Sequence, residues 1–484
     1  MNAHRSHILT LLLLTTALGL ASCRDTHNEL PEPDYSTHLR VIVRVNGDRS
    51  ELTRADGPNG GEEGDGRNPG EANENRVNNA TLLLYKDNAG INSTADPVIL
   101  HAFYAPKLTA DASGKVYTSD VLKYEMPMGE GTYHIIALVN MGDKTALKGK
   151  KLSDVRNMTV TEPYTLTYNA TTGVPDIKNA ANFVMTSATD ATINILGDGG
   201  PKNVKNVTAT VERLAARIDF SPGPLANATT PQDKTHAEWK EDRTLPLAAG
   251  GTVTCSGYEY VVVNSETKDA TADRYLMTAV TPVNCLSSGT YSIKRVTNGT
   301  DPADLIYLGD ETADATHSAT NYVIDPWTTG KTTGATPDGL GFRNPLESEK
   351  VKLESKLWPV KHTDMFTPTV ANAAGVDYYI LDYTQENTLT ATGDKERFAT
   401  GLQIDGYYGY WDEGTSSLKY IPRSFRCYIR HADPTNTAPE DAPMKYGIVR
   451  NNIYRIHIKW VNSLGQIQIE VQAWNPIKVD EITL

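Results

Sequence analysis

The chain has 484 residues, 39% of them hydrophobic and 22% charged, with a formal net charge of −13. That length exceeds what one hydrophobic core usually serves, so two or three domains are expected. The negative balance argues against a nucleic-acid-binding surface, which needs a basic face; P-loop, post-strand GxGxxG, HExxH and CxxC signatures are all missing. Tyr (24) far outnumbers Phe (7) and Thr is abundant, a bias that suits solvated sheets and an all-β fold.

Arg5 and His7 precede an apolar run over residues 8–20, which is too short to span a bilayer and reads as a signal peptide. Its ending, Leu20-Ala21-Ser22-Cys23, resembles a bacterial lipobox. The other three cysteines, Cys255, Cys285 and Cys427, are widely spaced and offer neither a disulfide framework nor a metal site. Buried thiols are expected, with a Cys255–Cys285 bridge left open.

Residues 39–45 alternate cleanly. Leu39, Val41, Val43 and Val45 share one face, whereas Arg40, Ile42 and Arg44 share the other. Period two marks a half-buried strand. Residues 51–76 are rich in Gly, Asn and acid, with almost no large apolar side chain. Such a stretch cannot offset its ordering entropy, so it is expected to be exposed and mobile, with its arginines open to proteases. Its acidic residues lack EF-hand spacing, so no calcium loop is expected.

Strands are expected at 79–85, 97–104 and 116–124. Residues 131–140 (GTYHIIALVN), apolar on both faces, suggest a central strand. Residues 204–220 read as a strand pair or one long bent strand. The Pro-, Gly- and Ala-rich stretch 221–251 is the expected domain boundary. Beyond it, strands are expected at 258–263, 377–383 and 424–430, an aromatic loop at 406–414, and long loops at 299–341. The end of the chain carries the clearest pattern. Residues 453–460 alternate, a turn follows at 462–465, and 467–473 alternate again. After Asn475-Pro476 come eight β-prone residues, IKVDEITL. An apolar terminal strand must pair with something or become an aggregation hazard.

Catalysis finds little support. The eleven His are scattered, with His431 and His457 the only late pair. No Ser sits in a GxSxG elbow, and Asp412-Glu413 lies in the expected loop. Tyr407, Tyr408, Tyr410 and Trp411 could stack on a sugar, although aromatics with polar tips also pack at cores and interfaces.

Four stretches together resemble the type V fimbrillins of Bacteroidales, most closely the minor-fimbria (Mfa-type) shaft branch. They are the lipobox at Cys23, Leu52-Thr53-Arg54-Ala55, VERLAARIDF (211–220), and the block from IRHADP to VQAWNP (429–476). The resemblance implies two transthyretin-like β-sandwich domains with a C-terminal donor strand. It implies a signal peptide over 1–22, a propeptide with the first strand over 23–54, an N-terminal sandwich over 55–235 and a C-terminal sandwich over 236–484. In such a family the lipidated precursor, carrying palmitate on Cys23, reaches the outer membrane. An arginine-specific surface protease then cuts between Arg54 and Ala55. The strand carrying Leu39, Val41, Val43 and Val45 leaves, and the tail of another copy takes its place. Here the tail would present Ile477, Val479, Ile482 and Leu484, though Ile477 and Val479 have the opposite phase to Ile482 and Leu484. The implied partners are further copies of the chain, the protease, anchor and tip accessory subunits, and host or bacterial receptors serving adhesion, biofilm formation and virulence. The precursor would sit in the outer membrane and the product in an extracellular fimbrium. No cofactor, metal or nucleic acid is expected. The alternatives are a fimbrial anchor or tip subunit, or a glycan-binding surface lipoprotein that uses Tyr407 to Trp411.

Overall fold

The computed structural model describes residues 37–45, 71–86, 96–124, 129–222 apart from short breaks, 238–262, 271–291, 379–388, 398–429 and 446–461. It also describes the short segments 295–297, 305–307, 323–324, 341–343, 467–472 and 479–483. Cys23, Arg54, Ala55, Ile477, Leu484 and His431 lie outside the described residues.

The first half contributes β1 (Thr37–Val45), β2 (Ala80–Tyr85), β3 (His101–Ala105), β4 (Leu108–Ala110), β5 (Val116–Tyr124) and β6 (Gly131–Val139). A short helix α1 (Leu152–Arg156) follows, then β7 (Thr159–Thr161), β8 (Thr165–Tyr168), β9 (Pro175–Ala181), β10 (Met185–Ser187), β11 (Ala191–Ile195) and β12 (Lys205–Arg213). Nine of these strands form one sheet in the order β3-β2-β6-β10-β12-β1-β5-β4, with β11 added to β6. Short β10 is the fold line, pairing β6 on one side and β12 on the other. Inward residues from both halves, among them Leu82, Ile135, Val41 and Ala209, share one core, so the sheet closes over itself as a sandwich. β6 is buried on both faces, as its doubly apolar sequence implies. Ile135 and Ala137 enter this core, while Ile136 and Leu138 pack beneath Leu152, Val155 and Val160.

The second half contributes β13 (Ala216–Ser221), β14 (Glu238–Pro246), β15 (Thr252–Val261), β16 (Arg274–Val283), β17 (Cys285–Leu286) and β18 (Ser288–Thr290). The short strands β19 (Arg295–Thr297), β20 (Leu305–Tyr307), β21 (Val323–Ile324) and β22 (Phe342–Arg343) precede β23 (Tyr379–Thr384), β24 (Gly401–Asp412), β25 (Ser417–Tyr428), β26 (Ile453–Val461), β27 (Ile467–Gln472) and β28 (Val479–Thr483). Two five-stranded sheets, β23-β13-β26-β27-β28 and β14-β15-β16-β24-β25, enclose the second core. Ile218, Phe220, Ile456 and Ile458 meet Tyr260, Tyr275, Met277 and Ile404 there. Residues 204–220 are thus two strands in different sandwiches. The chain crosses at Leu214-Ala215, ahead of the Pro- and Gly-rich stretch, because β13 pairs with β23 and β26 and not with β12.

The second of these sheets also coils at one end. β14 reaches β25 through a Leu247–Tyr420 bridge, and Leu245, Leu276 and Tyr420 fill a small cluster inside the curl. Buried Glu259 sits nearby between Arg243 and Arg274. The tight approach needs glycine. A Cβ on Gly406 would stand 2.1 Å from the Leu276 carbonyl oxygen and 2.8 Å from the Tyr275 hydroxyl. The expected aromatic loop is therefore part of strand β24, whose hairpin turn is tied by the Asp412 carboxylate accepting from Gly414 N and Thr415 Oγ1, both at 2.9 Å. Its aromatics split between faces. Tyr407 packs on the small cluster, while Tyr408 enters the second core and donates to Asp273 Oδ2 at 2.8 Å. No single stacking surface results. Cys255, Cys285 and Cys427 are free thiols, the last two buried, and burial pushes the Cys427 thiol up to about 12.

The glycine contact gives a measurable expectation. Gly406→Ala should lower unfolding free energy by ~2 kcal/mol or more through backbone overlap, read as a lower denaturant midpoint at unchanged slope.

Candidate strand-exchange site

β1 lies inside its sheet, not at an edge. It runs parallel to β12, with Leu39 opposite Lys205 and Val45 opposite Val211, and antiparallel to β5. Leu39, Val41 and Val43 are fully buried and Val45 is 5% exposed, so the alternation read from sequence is the alternation of core and surface. Each such side chain contributes about 1.5–3 kcal/mol of burial. The pairing with β5 shifts between Arg40 and Ile42. At that point the ladder bond is replaced by a side chain, for Val41 N donates to Ser119 Oγ at 3.0 Å. Removing β1 would open two strand edges and a row of apolar sockets lined by Val207, Ala209 and Val211.

The carboxyl-terminal strand is docked within its own chain. β28 pairs antiparallel with β27, placing Val479 opposite Gln472 and Ile482 opposite Ile469. The pairing is regular across Val479–Thr483, with no bulge in the ladder. β28 ends the sheet and keeps one edge free of any described strand.

Between the seat of β1 and this tail stands a junction that sequence reasoning missed. Residues 71–76, expected to be exposed, form a turn whose Glu74 and Asn75 are buried. Glu74 Oε1 accepts from Arg217 Nη1 at 2.9 Å and from the Tyr383 hydroxyl at 2.5 Å. Its Oε2 accepts from Glu71 N at 2.9 Å and lies 3.9 Å from Arg213 Nη1. Arg217 also grips Asp219 with two bonds of 2.8 Å, and Arg213 donates to Asn75 Oδ1 at 2.7 Å. Two guanidiniums and two carboxylates balance in a water-poor site, which is what makes their burial tolerable. Burial alone would raise the Glu74 carboxyl, but Arg217 and Arg213 override it and hold it below the usual carboxylate range.

The same junction joins the sandwiches directly. β7 pairs with β18 across it. Gln385 Nε2 donates to Val160 O at 2.8 Å across it, while within the second half buried Arg450 donates to Glu386 Oε2 at 2.6 Å and Thr290 O at 3.0 Å. β23 faces both ways, with Ile380 and Tyr383 in the first core and Leu381 in the second. The charged residues inside the apolar run 211–220 were the sequence signal for this cluster, because charges on a buried strand need partners. Among the described residues no group of three or more His, Cys, Asp or Glu is placed to hold a metal ion.

Comparison with known proteins gives one family match. Residues 423–484 match the model described as major fimbrial subunit protein type IV, fimbrillin, C-terminal. This segment takes in the end of β25 and all of β26, β27 and β28. No curated protein matches the chain. Among solved structures, the tip fimbrial protein Mfa3 of Porphyromonas gingivalis with a C-terminal truncation is 11% identical, covering 93% of this chain and 100% of that one at a TM-score of 0.37. A fimbrial assembly protein of Parabacteroides distasonis is 10% identical, covering 92% and 99% at a TM-score of 0.34.

The junction predicts a pH dependence. Because the folded carboxyl of Glu74 sits below its unfolded value of about 4.3, its stabilisation is complete above that pH and is lost as pH falls through the lowered value. Glu74→Gln should cost roughly 3 kcal/mol at pH 7. The gap to wild type should narrow below about pH 4, as followed by chemical denaturation across the acid range.

Proposed function

We propose that this chain, which ends in a fimbrillin C-terminal region, is a structural subunit of a surface fimbria and polymerises by strand exchange. The observation that carries the reading is that family segment, because it contains the strand that would be donated. The seat of β1 supports it from the other end. Four alternating apolar side chains between two strands are what an incoming extended segment could replace, with backbone bonds giving affinity and alternate side chains giving register. In this reading Cys23 carries the lipid, cleavage between Arg54 and Ala55 frees β1, and the segment carrying Ile477, Val479, Ile482 and Leu484 fills the seat of the next copy. Proposed domains follow the cores, the first sandwich ending at Arg213 and the second starting at Ala216.

A contact between a tail and a remote seat is heterologous. It does not close on itself, so it propagates a filament. β1 would be exchanged and not simply lost, since an empty seat leaves two open edges and wet apolar sockets. Charge opposes assembly weakly. Residues 1–54 hold six basic and six acidic residues, so the processed chain keeps −13 and association should be faster in salt.

A second reading, a fimbrial anchor, is favoured by one feature: β1 and β28 are both docked in their own chain. An anchor would retain its lipid and its first strand. Sequencing of the surface protein separates the two readings, with Ala55 expected as the first residue of a shaft subunit and lipidated Cys23 as that of an anchor. Deleting residues 477–484 should abolish the ladder of polymers that a shaft subunit is expected to give on unheated gels. Undiminished polymers from the shortened chain would falsify the donor role.

A further inference from the structure

The turn at residues 71–76 bears on where proteolysis must end. We propose that it is a proteolytic stop, in which the buried ion cluster withholds Arg76 from arginine-directed proteases. The proposal takes from the functional reading only that such a protease meets this chain. Arg54, Arg67 and Arg76 all follow β1 in sequence, and composition gives no reason to separate them.

The structure does separate Arg76. Its side chain is exposed, yet the bond after it is held. The Arg76 carbonyl accepts from Asn140 Nδ2 at 2.8 Å, and the neighbours Asn75 and Val77 are buried. Asn78 N donates to Asn140 Oδ1 at 2.8 Å, and Asn73 Nδ2 donates to Ala180 O at 2.7 Å. A protease must draw several residues around the cut into its cleft, so cleavage inside a folded domain waits on local opening. Opening here would pull Glu74 away from Arg217 and Tyr383 and leave two guanidiniums without it. The consequence is a built-in limit. A cut upstream removes the front of the chain, while the clamp spanning both sandwiches stays attached to β2. A cut after Arg76 would remove the clamp with it.

Trypsin serves as the probe, applied to the full chain under native conditions, with fragment termini read by mass spectrometry. Cleavage after Arg76 in the wild type should run at least 100-fold slower than in a synthetic peptide of residues 71–82. Glu74→Ala should speed it at least tenfold. Asn140→Gly removes the lock on the carbonyl from the opposite side and keeps the backbone, which is left-handed there at φ 61°, so it should act alike. If Glu74→Ala loses the native near-ultraviolet circular dichroism, Asn140→Gly decides. Cutting of native wild type at the peptide rate, or unchanged rates in the folded variants, overturns the stop. A surface terminus other than Ala55 would overturn the cleavage reading and leave the stop standing.

Discussion

A strand bonded along both edges cannot be subtracted from a sheet without a replacement, and β1 is such a strand. Its parallel ladder with β12 and its antiparallel ladder with β5 hold β4 and β5 to the rest of the first sandwich. The four apolar side chains on its inner face complete the core beneath. The front of this chain is therefore a structural part of the fold. In the proposed exchange, a donated segment would have to match backbone as well as side chains, including the place where Ser119 stands in for a ladder partner.

The second constraint is electrostatic. Glu74, Arg213, Arg217 and Asp219 come from a turn and two strands and meet where the sandwiches touch. Replacing such a cluster by apolar residues can be neutral, but removing one member is costly because the others stay buried and charged. Its effect is to fix orientation. With the β7–β18 pairing and the Gln385–Val160 bond, it leaves little freedom for one sandwich to tilt against the other.

Period-two patterning made much of this fold legible in the sequence. The faces of β1, the double burial of β6 and the pairing strands at the chain end all follow from residue spacing. Composition misled where partners are remote. Residues 71–76 look like the rest of an acidic, Gly-rich loop, yet Glu74 bonds Arg217 143 positions away and Tyr383 309 positions away. The crossing at Leu214-Ala215 carries no Gly or Pro, since the chain changes sheets through one bend at Leu214 in two buried residues. The Pro-rich stretch beyond β13 drew attention to itself instead. The aromatic run at Tyr407 to Trp411 read as a loop because of its glycines, of which Gly406 admits the backbone of β16 and Gly409 the ring of Tyr420.

The two-residue step from β12 to β13 has a mechanical side. β12 borders the seat of β1 and β13 lies inside its own sheet, between β23 and β26. In a fibre of the kind proposed, tension entering at the seat crosses only the buried residues Leu214 and Ala215 before it reaches the next sandwich. No slack linker intervenes to uncoil. Each unit would behave as a stiff link, loaded in shear along its strands, so that many ladder bonds share the force at once.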